Sequence, residues 1–304
     1  MDQGGFRLST IWNFLRLTRP LFLAGGLIVF LLGASAAWKA GSPLDLPSYL
    51  AAQGLVTATQ LMTHYANEFY DQASDAVNSH RTWFTGGSGV LVEGDLPART
   101  AYYAAIACLA AALAFMAAAS LRVPAMLLLG GLGIFFGWFY SAPPLRLVSS
   151  GWGELAASLV VTGLVPLTGY ASQANGFADA HVVFISLSLG LIHMAMLLAF
   201  DLADFTADSS VQKRTLAVRI GRRKTVLAHN AALILALAIL TVFLALKLPG
   251  STWIWLAFPL LLWQVVRVRR YAGEGHDSPY WPFTLGALAS FALTAFLWLA
   301  GFWL

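Results

Sequence analysis

Three oxygen-bearing side chains, Asn67, Asp71 and Asp75, recur every four residues at the end of a long apolar run. On a helix, residues four apart lie along one face, so the spacing predicts a polar stripe. Carboxylates in such a stripe repel each other, and ionisable groups at a membrane boundary carry a further cost. A divalent cation bound to these three residues, here called the first acidic motif, would remove that cost.

A second set of carboxylates, Asp201, Asp204 and Asp208, ends another apolar run and has the spacing i, i+3, i+7. We call this set the second acidic motif. Mg²⁺ prefers oxygen ligands and usually binds through one or two carboxylates together with substrate phosphates. One motif alone is typical of a solvated helix end. Two motifs placed alike favour a diphosphate held between Mg²⁺ ions, so we expect Mg²⁺ as the cofactor.

Basic side chains follow both motifs. Arg81 comes shortly after Asp75, and Lys213 and Arg214 come shortly after Asp208. Lysine and arginine beside carboxylates suit a diphosphate, whose charge exceeds what one metal ion neutralises. The alternative is that these residues only mark the cytoplasmic side of a membrane.

Two loops lie between the motifs. Residues 85–91 contain three glycines, whose backbone N–H groups can contact phosphate, although no Walker pattern is present. Pro143 and Pro144 end an apolar run and impose a rigid turn. Tyr140 and Arg146 flank this turn, and we expect both on the same side of the membrane as the acidic motifs.

The elements that carry these residues are predicted to be membrane helices. The chain is 59% hydrophobic and 11% charged, with a mean hydropathy of +0.71, whereas soluble domains have about 25% charged residues. We therefore expect an all-α, polytopic membrane helical bundle with nine transmembrane helices, forming a single domain over residues 1–304. The nine segments are roughly 21–39, 47–69, 100–120, 123–141, 152–171, 181–200, 224–246, 252–267 and 282–303.

The distribution of basic residues predicts the orientation. With a cytoplasmic N-terminus, fifteen of the 18 Lys and Arg residues fall inside, and Lys39, Arg122 and Lys247 fall outside. Both acidic motifs then reach the cytoplasmic face, so we expect the active-site cavity to open there. Basic loops on an anionic membrane leaflet also explain the pI near 9.3 without a nucleic-acid partner.

At these motifs the chain resembles the UbiA superfamily of intramembrane prenyltransferases. The resemblance rests on the two acidic motifs and on their order and spacing. Within the superfamily the chain is most similar to the 1,4-dihydroxy-2-naphthoate prenyltransferase branch. The stretches that support this branch are 85–91, 140–154 and 213–221. The resemblance also places Phe200 where the family often has Asn, so we expect Asp201 to supply that ligand.

The resemblance implies Mg²⁺-dependent transfer of a prenyl group from a polyprenyl diphosphate to an aromatic ring. For the naphthoate branch it implies 1,4-dihydroxy-2-naphthoate as the acceptor, in menaquinone biosynthesis. Partners are then the prenyl diphosphate, the acceptor and the lipid bilayer. The expected catalytic residues are Asp71, Asp75, Asp204, Asp208 and Tyr140. The expected metal ligands are Asn67, Asp71, Asp75, Asp201, Asp204 and Asp208. The expected substrate contacts are Lys213, Arg214, Arg81, Arg146 and Asn67. Candidate aromatic groups beside the allylic cation are Tyr65, Phe69, Tyr70, Tyr140 and Phe200.

Other acceptors, including 4-hydroxybenzoate and chlorophyllide, remain alternatives within the superfamily. A non-enzymatic, ion-coupled transporter is a second class, because acids and glycines also occur in transporter helices. The acids here cluster at one face rather than at mid-membrane, which favours the enzyme. A CDP-alcohol phosphotransferase would need an Asp-Gly-x-x-Ala-Arg element, which the sequence lacks.

The orientation gives a direct prediction. Reporter fusions at residues 90 and 215 should report from the cytoplasm, and a fusion after Leu304 should report from the opposite side, because of the lysine and arginine asymmetry. A cytoplasmic signal from the C-terminal fusion would contradict the arrangement with nine spans.

Overall fold

The computed structural model describes residues 3–82, 84–174, 180–273 and 278–304. Within these ranges the regular structure is helical and no strand occurs, as the all-α prediction requires. The α-helices are α1 (Gln3–Thr18), α2 (Pro20–Lys39), α3 (Leu46–Tyr70), α4 (Gln72–Ala76), α5 (Ala98–Ser120), α6 (Ala125–Ser141), α7 (Gly153–Ser158), α8 (Val165–Ala174), α9 (Ala180–Ser210), α10 (Leu216–Ile220), α11 (Arg222–Ala245), α12 (Phe258–Arg267) and α13 (Trp281–Trp303). A π-helical turn, Leu159–Leu164, joins α7 to α8.

Six helical segments in the described part of the chain are long and apolar enough to cross a membrane, whereas nine were predicted. They are Pro20–Lys39, Ala98–Ser120, Gly153–Ala174, His181–Ser210, Arg222–Ala245 and Trp281–Trp303. Each of the other three predicted segments overlaps a helix that is too short or too polar to belong to this set. Helix α3 carries polar residues toward a cavity, α6 has 17 residues, and α12 has 10.

The ends of the helices place the loops that carry the site. Arg19 adopts a left-handed conformation (φ 48°) immediately before Pro20, which separates α1 from α2. Asp45 caps α3, because its carboxylate accepts the Ser48 N–H at 3.3 Å. Helix α6 ends at Ser141, where the prolines that follow hold Ala142 in an extended conformation.

The core lies among α2, α9, α11 and α13, where Val29, Leu189, Leu233 and Trp298 are almost fully buried in one cluster. Helices α2 and α8 cross closely because each contributes a glycine at the crossing. A side chain on Gly33 would overlap the Pro166 carbonyl group, and one on Gly169 would overlap the Phe30 carbonyl group. Small residues of this kind let membrane helices approach at backbone distance.

Candidate active site

A cavity of about 380 Å³ brings the two acidic motifs together. The predicted site residues that line it are Asn67, Asp71, Asp75, Tyr140, Asp201, Asp204, Asp208 and Lys213. The described lining does not include Arg81, Arg146 or Arg214. Arg146 and Arg214 are exposed, and Arg81 pairs with Glu93 at 3.0 Å beside a second cavity.

The ammonium group of Lys213 connects the two acidic motifs. Its Nζ donates to Asp71 Oδ2 at 2.9 Å and lies 3.5 Å from Asp208 Oδ1. Burial works against the charged form of Lys213, but the nearby carboxylates of Asp71 and Asp208 outweigh it and hold the pKa of Lys213 well above its ordinary value. This lysine therefore stays charged and neutralises part of the acidic cluster.

The three residues of the first acidic motif face one cavity, but they do not lie on the one continuous helix that their spacing predicted. Asp71 has non-helical dihedrals (φ −98°, ψ 5°) and separates α3 from the short helix α4, which carries Asp75. The Asn67 Nδ2 donates to Asp71 Oδ2 at 2.8 Å and to Ser141 Oγ at 3.1 Å. Asn67 thus fixes the orientation of the Asp71 carboxylate against the end of α6.

Asp75 is buried at the edge of the same cavity. Burial, together with the negative charges of Asp71 and Glu68, raises the pKa of Asp75 to about 7, although the positive charges of Arg19 and Lys213 oppose the rise. A carboxylate in this environment gains from any additional cation that approaches it. The first acidic motif is therefore under-neutralised by the protein's own basic groups.

The three carboxylates of the second acidic motif contact different partners. Asp204 Oδ1 accepts from Asn78 Nδ2 at 2.8 Å, and Asp208 faces Lys213. Asp201 instead approaches Glu154, whose Oε1 accepts the Leu216 N–H at 3.0 Å. Asp201 therefore lines the cavity but also contacts a second buried acid that the sequence analysis did not identify as part of the site.

The loop of residues 85–91, here called the glycine-rich loop, lies against the first acidic motif. Glu68 holds this loop, because its carboxylate accepts from Ser88 N at 2.8 Å and from Ser88 Oγ at 2.7 Å. Gly87 lies so close to Asp75 that any side chain there would overlap the carboxylate. Arg16 of α1 donates to the Ser88 carbonyl oxygen at 3.2 Å, which ties the N-terminal helix to the loop.

Sequence reasoning missed four residues that shape the site: Arg19, Glu68, Asn78 and Glu154. Arg19 donates through Nε to Glu68 at 2.9 Å and lines the cavity. It was missed because the sequence analysis counted it only as one of the cytoplasmic basic residues that set the topology. Glu68 and Glu154 had one available signal, since each is an ionisable residue within or beside an apolar segment. Asn78 had none, because a loop asparagine has many ordinary roles.

Two of the five predicted aromatic residues, Tyr140 and Phe200, line the cavity. Phe22 packs against Phe200, with ring centroids 6.4 Å apart, and also lines the cavity. Tyr65, by contrast, packs against Phe14 of α1 with ring centroids 5.6 Å apart. The remaining two, Phe69 and Tyr70, pack against each other at 5.0 Å.

The donor set fits Mg²⁺ that is shared with a phosphate ligand. Among the described residues, no three His, Cys, Asp or Glu side chains are close enough to form a metal cage on their own. The carboxylates of both motifs instead line one cavity, in which Lys213 contacts one carboxylate from each motif. Mg²⁺ commonly uses one or two carboxylates and completes its octahedron with phosphate oxygens and water, and these residues can supply that number.

Comparison with known proteins identifies the family to which the chain belongs. A family model described as "UbiA prenyltransferase family" matches residues 27–299. A 1,4-dihydroxy-2-naphthoate octaprenyltransferase from Bacillus subtilis is 25% identical over 80% of this chain and 76% of its own length. A protein of the same name from Mycobacterium tuberculosis is 28% identical over 76% of this chain and 74% of its own length.

Solved structures share the fold. The structure of a UbiA homolog from Archaeoglobus fulgidus bound to DMAPP and Mg²⁺ has a TM-score of 0.64 at 20% identity, over 95% of this chain and 97% of that one. The apo structure of a UbiA homolog from Aeropyrum pernix has a TM-score of 0.64 at 14% identity, over 92% and 97% of the two chains.

The position of Lys213 predicts a stability effect. Lys213→Met leaves two buried carboxylates without their cation, so the free energy of unfolding measured in EDTA should fall by about 3 kcal/mol. Lys224→Met is the matched control, because Lys224 is exposed. Thermal unfolding in one detergent compares the two variants. Equal melting temperatures for both would contradict the role given to Lys213.

Proposed function

Since the chain belongs to the UbiA prenyltransferase family and is an integral membrane prenyltransferase, we propose that it prenylates 1,4-dihydroxy-2-naphthoate. The donor in this proposal is a polyprenyl diphosphate, and the product is a menaquinone precursor. The observation that carries the proposal is the meeting of two acidic motifs around Lys213 at a largely apolar cavity. The choice of acceptor draws support from relatives of that name at 25–28% identity.

In this proposal the acidic motifs and Lys213 hold the diphosphate of the donor. Asp71, Asp75, Asp204 and Asp208 are the ligands proposed for Mg²⁺, and the side-chain oxygens of Asn67 and Asp201 stay proposed ligands beside them. Asn67 also orients Asp71. When bound, Mg²⁺ would neutralise the diphosphate and make it a better leaving group. Lys213 would exchange its contact with Asp71 for a diphosphate oxygen, since both are anionic acceptors and its side chain is already inside the cavity.

The walls of the cavity would protect the allylic cation that forms when the C–O bond breaks. Phe22 and Phe200 offer aromatic faces, and Tyr140 lies on the cavity wall contributed by α6. The glycine-rich loop, held by Glu68, limits the access of water, which would otherwise quench the cation. The electron-rich ring of the acceptor would then form the new C–C bond, with loss of carbon dioxide from the naphthoate.

Among the predicted basic contacts, the proposal assigns the diphosphate to Lys213. The exposed residue Arg146 follows the turn after α6, close enough to Tyr70 to act on its hydroxyl electrostatically. Among the expected substrate contacts, we propose Arg146 for the carboxylate of the acceptor as the ring enters. Arg81 and Arg214 stay proposed contacts for the donor outside the cavity.

The proposed function predicts both metal dependence and acceptor choice. Purified protein in lipid, with Mg²⁺ and a polyprenyl diphosphate, should prenylate 1,4-dihydroxy-2-naphthoate, lose activity in EDTA and recover it with added Mg²⁺. Asp71→Asn and Asp204→Asn should each lower kcat by about 100-fold or more, because they weaken stabilisation of the leaving group. Mass spectrometry identifies the product.

Asp95→Asn is the control for these variants, because Asp95 is exposed and pairs with Arg16 at 3.1 Å, outside the cavity lining. Turnover that persists in EDTA would overturn the metal assignment. Ready use of 4-hydroxybenzoate or chlorophyllide, with no reaction on the naphthoate, would overturn the acceptor and leave prenyl transfer intact.

A further inference from the structure

The cavity continues far past the acidic motifs into the helix bundle. Both Asp71 and Leu55 line it, and their separation of sixteen positions corresponds to a helical rise of roughly 24 Å. Beyond Gln60 the lining residues of α3 include Val56 and Leu55, and Leu129 of α6 and Leu164 of the π-helical turn line the same space. This deep part is therefore mainly apolar and suits a hydrocarbon chain.

Three glycines of α6 line the cavity, but they have different surroundings. A Cβ on Gly130 would come 2.8 Å from Leu55 Cδ2, and one on Gly137 would come 2.5 Å from Thr63 Oγ1. These two glycines let α3 approach α6. A Cβ on Gly133 would meet nothing within 4 Å, although Gly133 also lines the cavity. Of these three, Gly133 is the one that borders empty space.

Gly133 lies part of the way down the cavity. It is seven positions before Tyr140, which corresponds to roughly 10 Å along the helix. Leu129 and Gly130 lie deeper on the same helix and still line the cavity, so the space continues past Gly133. A short chain attached to a diphosphate at the acidic motifs would end near Gly133, whereas a longer chain must pass it.

We propose that Gly133 determines how long a prenyl chain the cavity accepts. The inference rests on the proposed function in one respect, which is that the occupant is the tail of a prenyl diphosphate held at the acidic motifs. Because glycine has no side chain, the passage stays open and a long tail can continue toward Leu129 and Leu55. A Cβ at position 133 would meet no neighbouring atom within 4 Å, so a larger side chain there would start in the open space of the cavity.

The test compares Gly133→Leu with Gly131→Leu. Gly131 is the matched control, because a Cβ there also meets nothing within 4 Å but the residue is not part of the described cavity lining. Each variant is assayed with dimethylallyl diphosphate and with octaprenyl diphosphate. The kcat/KM ratio of the short to the long donor should rise by about 10-fold or more in Gly133→Leu, a size typical of steric discrimination in an apolar pocket. It should stay unchanged in Gly131→Leu.

Binding gives a readout that does not depend on the acceptor. With Mg²⁺ present, non-cleavable thiolodiphosphate analogues of both donors should raise the melting temperature of the wild-type protein and of Gly131→Leu. For Gly133→Leu the short analogue should keep its effect and the long analogue should lose it. Gly133→Ala and Gly133→Val extend the series if the leucine variant does not fold, and loss of the long-chain effect should increase with side-chain size.

An unchanged ratio and unchanged long-analogue protection in the Gly133 series would overturn the inference. Failure of the proposed acceptor is a separate result. If the wild-type protein ignores the naphthoate, the comparison of analogues still decides whether Gly133 limits chain length.

Discussion

The site depends on the cost of burying several carboxylates at the end of a membrane helix bundle. Asp71, Asp75 and Asp208 are each less than a tenth exposed, and an uncompensated charge in such a place strongly destabilises a fold. Lys213 reduces this cost because its ammonium group contacts one carboxylate from each acidic motif. It does not remove the cost, because a single positive charge cannot balance two motifs. The excess negative charge favours the binding of further cations in the cavity.

The surrounding structure follows from the same constraint. Arg19 adopts a left-handed conformation that ends helix α1 before α2 begins, and its guanidinium donates to Glu68. Glu68 in turn holds Ser88, which fixes the glycine-rich loop over Asp75. Glycine is required at position 87 because the loop passes against the Asp75 carboxylate. Thus the loop, the N-terminal helix and the acidic motifs form one connected polar network above an apolar cavity.

Much of this arrangement could be predicted from the sequence, because spacing and charge carry the information. The periods of Asn67, Asp71 and Asp75 and of Asp201, Asp204 and Asp208 identified the residues that line the cavity, and the apolar runs identified the helices. The break at Asp71 was not predictable, since nothing in the local sequence forbids α3 from continuing. The contact between Asp201 and Glu154 joins distant segments, which single-sequence periodicity does not report. Basic residues were hardest to assign, because Lys213 and Arg214 are neighbours with the same topological signal and only Lys213 turns into the cavity.

In the proposed function the Lys213 ammonium occupies a cation position between the two motifs and leaves it when Mg²⁺ and a diphosphate bind. A structure of the protein with Mg²⁺ and a non-cleavable prenyl thiolodiphosphate decides whether this happens. Metal density should then lie beside the carboxylates of the two motifs, and the Lys213 ammonium should contact a diphosphate oxygen rather than Asp71. A diphosphate bound elsewhere, or a Lys213 that keeps its contacts with Asp71 and Asp208 while the ligand is bound, would contradict it.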